Sequence, residues 1–366
     1  MGKRELLIIL AFVVVGTVAY QFTAPPAEDS SRSFSFSDIF NSARREMRGN
    51  PASATITKVK VFPAAASLDE FRVNGPVAMT VTGEDRSDIE CQMTITSNGP
   101  DDETAKAWAD KVDLTPDDLG RTFVVRTYFP PEGNQEATLV IRVPKRLAVR
   151  VEAFRSAEVS NVAAAHVEAS RGTVTLTGIA GAVTGVHQDN SLSVKGAGSV
   201  KMRLLRLKGT FAGIKDGVIL DLRDSEATVT ESAGAAEIDL ARGEVTLTAH
   251  KGEATVRGTD GRVVLDRPAA EASVDVRRTE VEATVATAVP LTLITTDNTV
   301  RLRIDGTPRM TIDAAAIDGK IQATEVALEP TSDDRGAKLV HTFGAPGGPK
   351  VTMRSTGGDV VIRKVS

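Results

Sequence analysis

The chain has 366 residues, a formal net charge of −4, and 41% hydrophobic residues of which few are aromatic. That length buries a sizeable core in one long domain or two, and a near-neutral balance with no basic block excludes a nucleic-acid surface. The one cysteine, Cys91, excludes an intrachain disulfide, every cysteine-based metal cluster and a lipoprotein anchor.

In chain order, "MGKRELLIILAFVVVGTVAYQF" (1–22) places Lys3 and Arg4 before an apolar stretch from Leu6 to Tyr20. It reads as an uncleaved transmembrane anchor or as a signal peptide. The anchor is favoured, because Thr17 suits a cleavage site poorly and Pro25-Pro26 blocks the next one. Both readings put the rest of the chain outside the cytoplasm, and in the anchor reading residues 6–22 hold it to the inner membrane. The expected location is therefore the cell envelope, on its periplasmic side, or the exterior if the segment is cleaved. Residues 23–52 are a Pro- and Ser-rich flexible linker, with a short amphipathic helix expected at 37–48.

Residues 53–146 read as a β-rich head. "ATITKVKVF", "PVAMTVTG", "DIECQMTITS", "RTFVVRTYF" and "EATLVIRV" alternate with period two, as half-buried strands do. Ile89, Cys91, Met93 and Ile95 share one parity, so the thiol faces the core. "DDETAKAWADKV" (101–112) reads as a helix with acids at its N-terminus and Lys111 near its end. Its Ala105, Trp108 and Val112 pack it onto the sheet.

From 147 to 366 the pattern repeats. Nine consecutive units of near-constant length run from Leu147 to Gly306. Val218, Leu220 and Leu222 recur one unit later as Ala236, Ile238 and Leu240. Ala227 and Val229 recur as Val245 and Leu247, then as Val263 and Leu265. Alternation excludes a helical repeat, and an antiparallel sandwich would not hold equivalent columns at one fixed interval. The fold expected is all-β: a parallel β-helix or solenoid of about 18-residue coils. Each coil carries two short strands, with Gly, Asp, Asn or Ser at the turns. The head caps it, with one short helix, and an N-terminal membrane-anchor helix precedes it. "EPTSDDRGAKLVHTFGAPGGPK" (329–350) reads as a loop, and "VTMRSTGGDVVIRKVS" (351–366) repeats the unit once more.

The phrase G-[TED]-V-x-[LI] stands at Gly172–Leu176, Gly243–Leu247 and Gly358–Ile362. Together with the N-terminal stretch and the C-terminal "GGDVVI", it resembles the bacterial adhesin-like β-solenoid domain family. The resemblance covers about 147–366. It implies an envelope-exposed protein of largely unassigned function.

Chemistry has few footholds. One outward column runs Asp221, Asp239, Arg257, Asp275, one residue from each successive unit. Clustered acids can do acid–base work on polysaccharides, but Arg257 interrupts them, and mixed charge is what a solvated face needs. This surface ladder is the candidate site. Outward Thr175, Thr228, Thr230, Thr246 and Thr248 read as strand-forming surface residues. His166, His187, His250 and His341 lack zinc spacing and read as surface or turn residues. No calcium nonapeptide series, P-loop, G-x-S-x-G or Rossmann fingerprint occurs, so no metal, cofactor or catalytic residue is expected. The counted coils offer only Phe154 and Phe211 for sugar stacking, one at a turn and one in the core.

The expected function is a non-enzymatic, envelope-anchored interaction or scaffold surface for an envelope protein or glycan. The rivals are a β-helix lyase or hydrolase acting through Asp221, Asp239 and Asp275, and an envelope-stress sensor partnered with a membrane regulator.

Overall fold

Alternating branched apolar and polar residues build strands, because successive side chains leave opposite faces of the backbone. The computed structural model describes residues 52–365 apart from 133, 153, 325 and 327. The anchor expected at 6–22, the linker and the helix expected at 37–48 lie outside the described residues. Among the described residues no helix is long and apolar enough to cross a membrane.

The middle of the chain shows the repeat most plainly. Strands β14 (Gly217–Thr230), β15 (Ala235–Thr248) and β16 (Ala254–Asp266) each turn a corner near their midpoint and so contribute to two parallel ladders. On one ladder Val218 pairs with Ala236, and Ala236 with Ala254; on the other Val229 pairs with Leu247, and Leu247 with Leu265. Every pairing advances by one whole unit, as the sequence columns require. These side chains all point inward and are buried.

Further strands continue the stack on both sides. Toward the C-terminus follow β17 (Ala272–Arg277) with β18 (Glu280–Val285), then β19 (Leu291–Thr296) with β20 (Val300–Asp305). Toward the N-terminus lie β13 (Lys208–Ala212), β12 (Ser191–Leu205), β11 (Thr173–Gln188) and β10 (Ala164–Val167). Before them come β9 (Ser156–Ser160) and β8 (Ala148–Glu152). A single buried cluster runs from Leu68 to Ile362, so each coil is covered by its neighbours rather than by a second layer.

Both ends of the stack depart from chain order. The parallel ladders do not begin at 147: β8 and β9 pair with β2 (Glu70–Asn74) and β3 (Ala78–Glu84). Beyond those, also parallel, lie β6 (Thr122–Tyr128) and β7 (Asn134–Pro144). Two coils of the stack are therefore built from residues of the head. Antiparallel strands close this end: β4 (Asp88–Gly99) on β7, β1 (Ala52–Pro63) on β4, and β5 (Asp113–Asp118) on β6. Helix α1 (Asp102–Lys111) packs against β1 and β4. Its cap is Asp101, whose Oδ1 accepts from the Thr104 amide at 2.7 Å. Ala105 and Ala109 are its buried face, and Trp108 sits half-exposed beside them.

At the other end β25 (Lys350–Thr356) and β26 (Val360–Val365) form the extra coil read from the sequence. That coil slips between β19/β20 and the pair β21 (Met310–Ile317) and β22 (Ile321–Thr324). The segment expected as a loop at 329–350 holds β23 (Thr331–Asp333) and β24 (Gly336–Phe343). Strand β24 runs antiparallel along β21. The Pro- and Gly-rich flanks hid a short alternating run, Ala337 to Phe343, whose work is to cover the edge of β21.

Corners are made in an unexpected way. The left-handed region recurs at Asp189, Arg206, Asp224, Arg242, Asp260, Arg278 and Asp297, with φ between 48° and 62°. There the amide turns along the stack and donates to the next coil: Asp189 to the Leu205 carbonyl at 3.0 Å, Arg206 to Arg223 at 2.9 Å and Asp297 to Thr356 at 2.7 Å. The following residue turns inward. At 243 it is glycine, since a Cβ would lie 2.0 Å from the Ser225 carbonyl oxygen. At 225 and 279 it is a buried hydroxyl that closes the corner. Thr279 Oγ1 accepts from the Gly261 amide at 3.2 Å and donates to the Arg277 carbonyl at 2.9 Å.

Replacing Thr279 by valine keeps the shape and removes both bonds. Urea denaturation should show a loss of about 1–3 kcal/mol with an unchanged slope, and serine should restore most of it. Equal stability of Thr279→Val and wild type would mean that the corner hydroxyl is not holding the coils together.

Candidate interaction surface

Two outward faces follow from the two ladders. On the face of β14 to β17 the register runs Arg203, Asp221, Asp239, Arg257, Asp275, so the four residues of the sequence ladder do stand on adjacent strands, about 4.8 Å apart. Their chemistry differs along the column. Asp221 accepts from Arg203 Nε at 2.9 Å and from Arg223 Nε at 2.8 Å, one on each carboxylate oxygen. Asp239, Arg257 and Asp275 are exposed.

Asp221 and Asp239 share an open groove of about 340 Å³ with His166, Val186, Lys201 and Ile219. Val186 and Ile219 are 45% and 44% exposed there. His166 is held from both sides, its Nδ1 2.8 Å from the Thr184 hydroxyl and its Nε2 2.9 Å from the Glu168 carboxylate. The imidazole holds the Glu168 carboxyl below its usual range. With Asp221 clamped by two guanidinium groups, the column offers contact and charge rather than a free pair of carboxylates.

The second face carries hydroxyls. Thr175, Ser193, Thr210, Thr228 and Thr246 stand in one register column, with Thr230 beside Thr248 in the next. Cys91 is fully buried on its strand's core face, and burial pushes its thiol up to about 12, so it is not a nucleophile. Among the described residues no group of three or more His, Cys, Asp or Glu could hold a metal ion.

Sequence reasoning passed over the corner column. Asp189, Arg206, Asp224, Arg242, Asp260, Arg278 and Asp297 alternate in charge, one to each coil. Each arginine clasps the aspartate one coil earlier: Arg206 on Asp189 at 2.8 and 2.8 Å, Arg242 on Asp224 at 2.6 and 2.9 Å, Arg278 on Asp260 at 2.6 and 2.8 Å. These two-point pairs hold Asp189 and Asp260 down to about 2 and lower Asp224 as well. The periodic signal was present, but arginine is not a turn residue, and a left-handed arginine costs about 1–2 kcal/mol in isolation.

Two histidines expected at the surface or in turns are buried. His187 stands on the inward column of β11 in register with Leu204, and His250 follows the left-handed Ala249; they are 0% and 2% exposed. Burial lowers both, His187 to about 4. The Asn190 side-chain amide lies 3.2 Å from His187 Nδ1.

The profile of the Toastrack DUF4097 family matches residues 73–363. No curated protein matches the chain. Among solved structures, a "putative cell adhesion protein" from Clostridium sporogenes is 10% identical over 85% of this chain and 100% of that one, with a TM-score of 0.20. A "putative adhesin" from Parabacteroides distasonis is 10% identical over 85% and 97%, with a TM-score of 0.29. Another from Bacteroides fragilis is 11% identical over 86% and 99%, at 0.20.

Two outcomes follow from the corners and the buried imidazole. Deleting residues 235–252 should leave a folded stack but set Asp224 against Asp260, whereas deleting 217–252 sets Arg206 against Asp260. Added salt should raise the melting temperature of the first relative to the second; an equal salt response of the two would show that the corner charges do not couple. For His187 the folded value of about 4 lies below the unfolded one of about 6.5. The unfolded chain therefore binds the extra proton first, and stability falls as pH drops from about 6.5 toward 4, by up to about 3 kcal/mol. In His187→Met that slope should flatten; an unchanged slope would assign it to other groups.

Proposed function

The chain belongs to the Toastrack DUF4097 family, and on that premise we propose that it is a non-enzymatic, adhesin-like protein of the bacterial cell envelope. In this reading residues 6–22 hold it in the cytoplasmic membrane, and the stack outside the cytoplasm serves as an extended contact surface for an envelope protein or glycan. The observation that carries the reading is the fixed register of the outward columns. Asp221, Asp239, Arg257 and Asp275 on one face and the threonine column on the other repeat at one strand spacing, so a partner meets the same pattern over several coils. Regular spacing lets many weak contacts add within one interface. The clamping of Asp221 by Arg203 and Arg223 supports contact over acid–base catalysis, which needs a carboxylate free to exchange a proton.

Membranes carrying the full-length protein should retain it after an alkaline carbonate wash, with Met1 or Gly2 at its N-terminus. A new N-terminus near residue 20 would replace the anchor with a cleaved signal. Screening acidic and neutral polysaccharides with wild type and Asp239→Asn should give no turnover with either. Turnover in the wild type that the variant lacks would make the protein a carbohydrate-active enzyme instead.

A further inference from the structure

The coil formed by β25 and β26 comes after β21 to β24 in the chain, yet it fills an interior place between earlier strands. On one side Leu291 to Thr296 pair with Val351 to Thr356, and Val300 to Asp305 pair with Val360 to Val365. On the other side Thr311 to Ile317 pair with Lys350 to Thr356, and Ile321 to Thr324 pair with Val360 to Arg363. Val351, Met353, Val360 and Ile362 are fully buried between the two walls. Polar contacts lock the coil in place: Lys350 and Arg354 reach Asp313 at 2.7 and 2.8 Å, and Asp359 Oδ1 accepts from the Lys320 amide at 2.9 Å. Until this coil arrives, β19/β20 and β21/β22 present open strand edges to each other, and open edges recruit strands.

We propose that this coil is exchangeable: residues 350–365 of one copy occupy the slot between β19/β20 and β21/β22 of a second copy, joining two chains. Every contact named above is made equally well by the second copy's identical segment, so only the connection 343–349 has to change. That connection, "FGAPGGP", is suited to it, since Gly344, Ala345, Pro346 and Gly347 are all exposed. A short connection gives the chain's own coil a high effective concentration, so the closed single chain prevails in dilute solution. Exchange grows where copies are crowded, as on a surface, or where they fold side by side. For the adhesive role this makes the partner a second copy of the same chain. That biological meaning rests on the proposed function, while the exchange itself rests only on the slot.

Thr292 and Thr352 stand opposite each other on β19 and β25, both partly exposed. Full-length Thr292→Cys and Thr352→Cys chains, unfolded together and refolded at high concentration under mild oxidation, should yield a disulfide-linked heterodimer, and far less of it at low concentration. Only exchange brings the two positions from different chains into register. The double variant, refolded dilute, should close its disulfide within one chain. If it does so while the mixed single variants give no heterodimer, exchange is overturned. As an independent readout, deleting Gly347 and Gly348 shortens the connection and should shift the mass in light scattering from one chain to two. A shortened chain that stays at the mass of one chain and keeps the wild-type melting temperature also overturns the proposal. Neither failure touches the adhesin-like reading, which the membrane and polysaccharide experiments address separately.

Discussion

The structure depends on one constraint: a parallel ladder must advance by one strand spacing for every circuit of the chain and must not break at the corners. A strand pair alone leaves half of its backbone donors and acceptors without partners, and burying such groups is costly. Stacking coils in register satisfies them along both ladders at once. It also sets equivalent residues over one another, so burying Val218 commits Ala236 and Ala254 to the same column.

The corners show how far the chain goes to keep that ladder intact. Left-handed backbone is costly for arginine, yet Arg206, Arg242 and Arg278 adopt it. The cost is offset locally, because the Arg206 and Arg278 amides reach the next coil and each guanidinium grips the aspartate one coil back. Alternating charge along the corner then gives each interior member, from Arg206 to Arg278, an opposite neighbour above and below. Inside the corner a small or hydroxyl residue fills what a larger side chain could not, as Ser225 and Thr279 do. His250 occupies such an inward position after the left-handed Ala249, whereas His187 fills a core column in register with Leu204, so both polar rings are buried.

The ends obey the same rule by another route. A stack of parallel strands has two raw edges, and antiparallel strands are the simplest covers. At the N-terminal end β4 and β1 extend one ladder and β5 ends the other; at the C-terminal end β24 lies along β21. Both ends are also laced by a coil out of chain order, 70–84 at one and 350–365 at the other. Such lacing ties residues distant in sequence into the terminal coils and slows their fraying. The outward faces, freed from this work, can carry mixed charge and hydroxyls without disturbing the core.

Much of this was legible in the sequence, because burial in a stacked strand imposes two periods at once. Period two along each strand and a period of one coil along the stack fixed the inward columns, and with them the outward ladder Asp221, Asp239, Arg257, Asp275. The helix at 102–111 was legible from its cap and charges. What local pattern could not carry was decided by contacts between distant segments. That residues 70–84 and 122–144 join the stack, that 350–365 enter between earlier coils, and that "AKLVHTF" is a strand all depend on edges supplied elsewhere. The corner charges were periodic but unread, since an arginine accepts a left-handed turn only when an aspartate from the neighbouring coil is there to hold it. The sequence by itself determined what each coil buries. The tertiary structure decided the order in which coils stack, because backbone hydrogen bonds between parallel strands are indifferent to which part of the chain supplies the partner.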